Sequence, residues 1–315
     1  LAAAPVAAVA APRAAALVEA AKLSGRTGFV LVDLDTGETV EALAAEEAFP
    51  PASVAKLVTA LYALETLGPE HRFETRLVAA RALDADGTLR GALALQGGGD
   101  PDLDTDDLAE LIAQARQRGL RAVAGPFLVD GGAAPSVPWI DPEQPDEAAY
   151  NPAVSGLNLN YNRVLFAWKR GRDGAPETTL TAHARQWQPE TGAVRLALAG
   201  EGAPIYAWKE IEGAEAWEVS EAALNREGQV WLPVRRPEVY AGDAMRSVAA
   251  AQGLALPAPE AGAAPAGGTV LAFRRGAPLE VVTREMLRWS TNLTAEAVGA
   301  AASRALGGAP RTLAE

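Results

Sequence analysis

Apolar positions along this chain change period several times, and those changes mark its elements. The alanine-rich stretch 13–23 predicts a first helix. Phe29, Leu31, Val32 and Leu34 then form a strand-like run, Asp35-Thr36-Gly37 signals a turn, and Glu38 to Leu43 returns as a second strand, giving a β-hairpin. Next, Val54, Leu57, Val58, Leu61 and Leu64 fall at helical spacing until Gly68-Pro69 stops them.

From about 74 to 239 the texture shifts to short strands, ETRLVAARAL and GALALQ first, separated by DADG and GGGDPDLD. One helix interrupts them at 105–118, with Thr105 as its expected cap, Asp106 and Asp107 in its first turn and basic residues at its end. Further strands are expected at 122–130, 194–199 and 205–211. The Pro- and acid-rich segment 133–153 reads as a loop, and 257–268 as a flexible connection or hairpin tip. A last helix is expected from Thr294 to about Leu306, and no internal repeat is visible.

Composition narrows the chemistry. At 315 residues, 49% hydrophobic and 22% charged, the chain is globular and long enough for two domains. A net charge of −12 opposes nucleic acid or an acidic membrane surface as partner. With no cysteine, disulfides, thiolate metal sites and cysteine nucleophiles are excluded, which suits an oxidising compartment. The opening LAAAPVAAVAAPRAAALVEAA has two readings, an Ala-rich first helix or the mature start of an exported chain whose signal peptide has been removed. No segment reaches the roughly 18–20 uninterrupted apolar residues of a membrane span.

Only His71 and His183 are present, so a Ser-His-Asp triad must use one of them. His71 follows a helix end, His183 is expected on a strand, and no GxSxG elbow exists; structural or surface roles suit both. Two distant histidines without HExxH do not make a zinc site, and neither a GxxxxGK[ST] loop nor a strand-GxGxxG-helix unit is present, so no metal or nucleotide cofactor is expected. Serine with lysine as base remains. In PPASVAKLVTA, Ser53 and Lys56 stand at i and i+3, one face of a helical turn. Pro50 and Pro51 hold the incoming chain extended. A helix's first turn favours developing negative charge, and a desolvated lysine accepts a proton more readily.

With its preceding hairpin, PPASVAKLVTALYALETLG resembles the first catalytic motif of penicillin-binding proteins and serine β-lactamases. Their second motif, S-x-N, is matched by Ser290, Thr291 and Asn292 in WSTNLTAEAVG, with Glu296 in the expected trailing position; an ordinary helix N-cap is the plain alternative there. LALQGGGDPDLD (93–104) and YNPAVSGLNLNYNRV (150–164) are similar to segments of penicillin-binding protein 4-like D-alanyl-D-alanine carboxypeptidases. Ser290 lies 237 positions after Ser53, which fits the large insertions of that family.

The resemblance implies an α/β (α+β) fold. Its catalytic domain, an antiparallel sheet flanked by helices, would be discontinuous, 1–73 and 240–315, around a mostly β insertion at 74–239 of two small subdomains. It implies a periplasmic or exported serine-type carboxypeptidase/endopeptidase acting on peptidoglycan pentapeptides or cross-linked muropeptides, with β-lactams as covalent inhibitors. Ser53 is then the nucleophile and Lys56 its base. Ser290 relays the proton to the leaving D-alanine, and Asn292 bonds Lys56 and the substrate amide. Asp141 and Tyr150 resemble residues that reach a substrate diamino-acid side chain, though a loop turn and a core aromatic describe them as well; Asp100 is expected to cap a turn. The third family motif, K-T-G, is absent, the last lysine being Lys209. The expectation is a chain that lacks the C-terminal part of its catalytic domain; the rival reading is an inactive peptidoglycan-binding homologue. An SxxK β-lactamase or esterase would share Ser53 and Lys56.

Overall fold

The computed structural model of the chain describes residues 13–309, without Glu201 and Gly213, together with Thr312. It divides into two units, Leu1–Val54 and Ala55–Glu315.

In the first unit, helix α1 (Arg13–Ala21) precedes an antiparallel hairpin of β1 (Phe29–Val32) and β2 (Thr39–Leu43). The turn forms because Asp33 Oδ1 accepts from the Asp35 and Thr36 amides, both at 2.9 Å, and because Gly37 supplies a φ of +73°. Glu41 Oε1 accepts from Ala14 N at 2.9 Å, so a β2 side chain satisfies a donor that the start of α1 leaves open.

The second unit opens with α2 (Ala55–Leu67), β3 (Glu74–Ala79), β4 (Thr88–Leu89), β5 (Leu93–Gln96), α3 (Thr105–Gln117), β6 (Ala122–Val123) and β7 (Phe127–Asp130). It continues through β8 (Arg163–Arg170), β9 (Pro176–Thr181), β10 (Val194–Ala199), β11 (Tyr206–Ile211), β12 (Ala214–Ser220), β13 (Glu227–Pro233) and α4 (Pro237–Ala251). It closes with β14 (Pro259–Ala261), β15 (Thr269–Arg275), α5 (Leu279–Trp289) and α6 (Asn292–Ala305). A mixed five-stranded sheet, order β14-β7-β5-β3-β15, carries the main core. Its parallel β5 and β7 are near-continuous apolar runs, and Leu93, Leu95, Phe127 and Val129 are buried with Leu108, Leu111 and Ile112 of α3 and Tyr240 and Met245 of α4. Two three-stranded sheets, β13-β8-β9 and β10-β12-β11, extend the same core through Phe166 and Trp217. A second cluster forms where α2, α5 and α6 meet around Phe73, Val282, Met286 and Val298. No helix among the described residues is long and apolar enough to cross a membrane.

The structure differs from the sequence reading at four places. Asp104, not Thr105, caps α3: its side chain accepts from Asp107 N at 2.9 Å and Asp107 Oδ2 accepts from Asp104 N at 3.0 Å, a reciprocal capping box. Thr105 is buried and donates to Ala182 O instead. Segment 257–268 is not only a connection, since β14 adds a parallel edge to β7. His183 lies past the end of β9 rather than on a strand, its ring edge-on to Trp231. On α2 the spacing predicts the helix, but the helix buries Ala60 and Ala63 while Leu57, Val58 and Leu61 are 55%, 71% and 61% exposed. The main sheet joins strands within 74–130 to strands within 259–275.

Candidate active site

Ser53 lies in a single 3-10 turn, Ala52–Val54, that ends the first unit. The turn is entered through Ala52 at φ +45°, a left-handed conformation that a side chain other than Asn or Asp adopts at a cost. Ser53 itself is exposed.

Lys56 stands in the first turn of α2, in the second unit, partly buried. Burial pulls its ammonium pKa below the usual lysine value, and the Glu296 carboxylate on α6 opposes that pull. Glu296 feels the reverse: burial raises its carboxyl and Lys56 lowers it. α2 and α6 pack against each other, and Tyr62 and Ser303 hydroxyls approach to 3.4 Å across them.

Ser290, Thr291 and Asn292 make the junction of α5 and α6. Ser290 ends α5 in the left-handed region (φ +58°), which breaks the helix axis and lets α6 begin two residues later. Thr291 is the N-cap residue of α6, but its side chain makes no cap hydrogen bond. Asn292 Nδ2 donates to Tyr150 O at 3.0 Å, which ties the junction to the 133–153 loop. A cavity of about 110 Å³ opens here, lined by Tyr150, Tyr161, Arg163, Trp289 and the Ser290–Asn292 junction.

Buried polar chemistry fixes that loop. Arg235 donates to the carbonyls of Pro138 (3.1 Å) and Asp146 (2.6 Å) and also reaches Asn151 O, while its own amide donates to Glu215 Oε1 at 2.8 Å. Burial pushes the Glu215 carboxyl up to about 7, against the opposing pull of these amides. Within the loop, Asp141 accepts from Glu143 N and Gln144 Nε2, and those bonds hold its carboxyl below the ordinary aspartate range. Asp141 therefore organises its own turn and does not line the cavity; Tyr150 does.

The glycine-rich segment packs closely on the backbones beside it. A Cβ on Gly97 would meet Gly156 O at 2.2 Å and one on Gly98 would meet Glu74 O at 2.3 Å, so only glycine lets these backbones pass. Asp100 does cap a turn, accepting from Asp102 N at 3.0 Å, and it is also buried in an ion pair with Arg274, whose Nε reaches Asp107 Oδ1 at 2.6 Å.

Thus the structure gathers Tyr150, Ser290 and Asn292 around one cavity and sets Lys56 against Glu296. Two residues of this region had no assigned role in the sequence, Tyr161 and Arg163. Their signal in the sequence is the N-Y-N triplet before Arg163, inside the family-like segment 150–164: Asn160, Tyr161 and Asn162 all adopt positive φ (51°, 57°, 50°). Asn is the residue that tolerates this region, and here the amides add bonds, Asn160 to Thr105 Oγ1 (2.9 Å) and Asn162 to Ala153 O (2.9 Å). Among the described residues no group of three or more His, Cys, Asp or Glu is placed to hold a metal ion.

Comparison with known proteins identifies the family and the fold. A D-alanyl-D-alanine carboxypeptidase of Actinomadura sp. (strain R39) is 33% identical over 172 residues, 54% of this chain and 31% of that protein. The fold is similar to penicillin binding protein 4 (dacB) from Haemophilus influenzae, with a TM-score of 0.69 at 18% identity over 89% of this chain and 63% of that one. A second structure of that protein, complexed with a novel β-lactam, aligns with a TM-score of 0.61 at the same identity, over 85% of this chain and 59% of that one. The chain therefore spans about a third of the curated relative and under two thirds of the solved ones. Residues 12–315 match the D-Ala-D-Ala carboxypeptidase 3 (S13) family throughout, and the chain belongs to that family.

Proposed function

We propose that this chain carries the acylation machinery of a serine-type D-alanyl-D-alanine carboxypeptidase/endopeptidase, exported to act on peptidoglycan pentapeptides or cross-linked muropeptides and acylated by β-lactams. The observation that carries the reading is Lys56, a lysine set by burial below its usual pKa in the first turn of α2, immediately after the turn that holds Ser53. A base that works near neutral pH must be discharged more easily than an exposed lysine. In the reaction Ser53 Oγ attacks the carbonyl carbon of the penultimate D-alanine and Lys56 Nζ takes its proton. Ser290 passes the proton to the departing amine of the terminal D-alanine, and Asn292 holds the substrate amide. Water then hydrolyses the ester on Ser53. Tyr150, which lines the cavity beside Ser290 and Asn292, takes the role of bordering the donor peptide in this reading, and Asp141 that of supporting the loop through its turn.

The test is release of D-alanine from a pentapeptide by the full-length protein. Release that disappears in Ser53→Ala supports the reading. Affinity for sacculi with no release identifies a binding protein instead, and hydrolysis of nitrocefin without D-alanine release identifies a β-lactamase.

The pH profile supplies a second expectation. Acylation needs neutral Lys56, so its rate rises with pH through the Lys56 pKa. Glu296 is the group that holds this pKa up, and Glu296→Gln is expected to move the rise to lower pH. A rise at unchanged or higher pH contradicts the pairing.

A further inference from the structure

Among the described residues, none between Val137 and Val154 belongs to a strand or helix, although those two pair in a single antiparallel bridge. A loop of this length holds one shape only if something else orders it. One guanidinium supplies most of that order. The terminal nitrogens of Arg235 donate to the carbonyls of Pro138 at the loop's entry, Asp146 in its middle and Asn151 at its exit. The guanidinium carbon stands 5.2 Å from the centre of the Trp139 ring, and Nε is buried without a partner. Arg235 is itself anchored: both carboxylate oxygens of Glu215, on β12, accept from its amide, at 2.8 and 3.0 Å. Asn151 closes the exit, its side-chain amide exchanging two bonds with the Asp141 backbone at 2.9 and 2.7 Å.

The carbonyl just before this held exit, Tyr150 O, is the acceptor for Asn292 Nδ2 at 3.0 Å. That bond decides how the Asn292 carboxamide presents itself. A primary amide has two N–H donors and one carbonyl acceptor. With one N–H spent on Tyr150 O, the plane of the group is set, and one N–H and Oδ1 remain for a ligand. The carbonyl and N–H of a secondary amide complement that remainder. A chain of direct contacts thus runs from Glu215 through Arg235 and the loop exit to the side chain that opens α6, and every member lies in the second unit.

We infer that Arg235 is a positioning residue for acyl transfer: through the loop exit and the Tyr150 carbonyl it sets the Asn292 carboxamide that holds the substrate amide. The inference rests on the acyl-transfer reading of the site. It predicts that loosening the clamp slows only those acyl donors that carry an amide for Asn292 to hold.

The experiment measures, in the full-length protein, the second-order rate of acylation by benzylpenicillin and by aminopenicillanic acid, the same ring system with a free amine in place of the side-chain amide. Arg235→Lys keeps the charge but replaces a fork of donors by a single point donor that cannot serve three carbonyls. It is expected to slow benzylpenicillin by about 3- to 10-fold, the range of one hydrogen bond, and to leave the amine compound within about twofold of wild type. Asn292→Ala should show the same selective loss, and adding Arg235→Lys to it should cost no more, because the clamp acts through that side chain. A purely structural role would slow both compounds alike, lower the melting temperature and add to the loss from Asn292→Ala. Unchanged benzylpenicillin, equal slowing of the two compounds, or additive losses in the double variant overturns the inference. Should Arg235→Lys not fold, Glu215→Gln, which loosens the anchor and keeps the guanidinium, goes through the same comparison and is judged by the same outcomes. Wild type acylated by neither compound removes the acyl-transfer reading as well, whereas wild type that is acylated, with equal losses in the variant, removes the role of Arg235 alone.

Discussion

Replacing Lys56 by methionine is expected to slow acylation by about 10²- to 10⁴-fold, the usual contribution of a positioned general base, while leaving the fold intact. Methionine matches the length of the lysine stem and is a good helix former, so α2 should not suffer. What disappears is a proton acceptor whose environment already biases it towards the neutral form: burial lowers its pKa, and Glu296 limits the fall. The single-turnover rate with a chromogenic cephalosporin measures the effect, and far-ultraviolet circular dichroism confirms the fold. A loss of less than tenfold would mean that another group deprotonates the serine. The variant should also lose the rise of acylation with pH, because the group that titrates is gone.

A comparably large effect is expected far from the proton transfer. Arg274→Met should destabilise the second unit by about 3–5 kcal/mol, the range for removing one partner of a buried ion pair. Asp100 is almost fully buried and Arg274 is its counter-charge, and the same guanidinium reaches Asp107 in the first turn of α3. Burial already pushes the Asp100 carboxyl up to about 6 with Arg274 beside it. Without the guanidinium it rises further, so the native variant binds a proton that the unfolded chain, titrating near 4, has released. Stability of the variant therefore falls as pH rises, and the deficit against wild type should shrink between pH 8 and pH 5. Urea unfolding across that range reads both the magnitude and the slope. Adding Asp100→Asn should recover part of the loss at pH 8, since the uncompensated charge is then gone.

Much of the fold and of the site follows from local rules that act within a few residues. Gly68-Pro69 ends α2, Asp35-Thr36-Gly37 makes the hairpin, and Ser53, Lys56, Ser290 and Asn292 lie in short motifs whose spacing is itself the signal. Features set by distant neighbours were not legible. Thr105 and Asp104 are equally good caps by type, and the choice falls on Asp104 because Thr105 is drawn to Ala182 O. The parallel pairing of β14 to β7 depends on residues 132 positions away, and Pro259 within it reads locally as a break. On α2, periodicity marks an apolar stripe but not what stands against it, and the side that is buried is the one lined by alanines that α6 packs on. The pairing of Arg274 with Asp100 likewise arises only when segments distant in sequence are brought together.

The most direct test of the acyl-enzyme itself is mass spectrometry of the full-length protein after incubation with benzylpenicillin, followed by peptide mapping. The account predicts one covalent adduct of the intact antibiotic mass, on the peptide containing Ser53, lost in Ser53→Ala and formed slowly in Lys56→Met. An adduct on any other residue, or no adduct on folded protein, would contradict it.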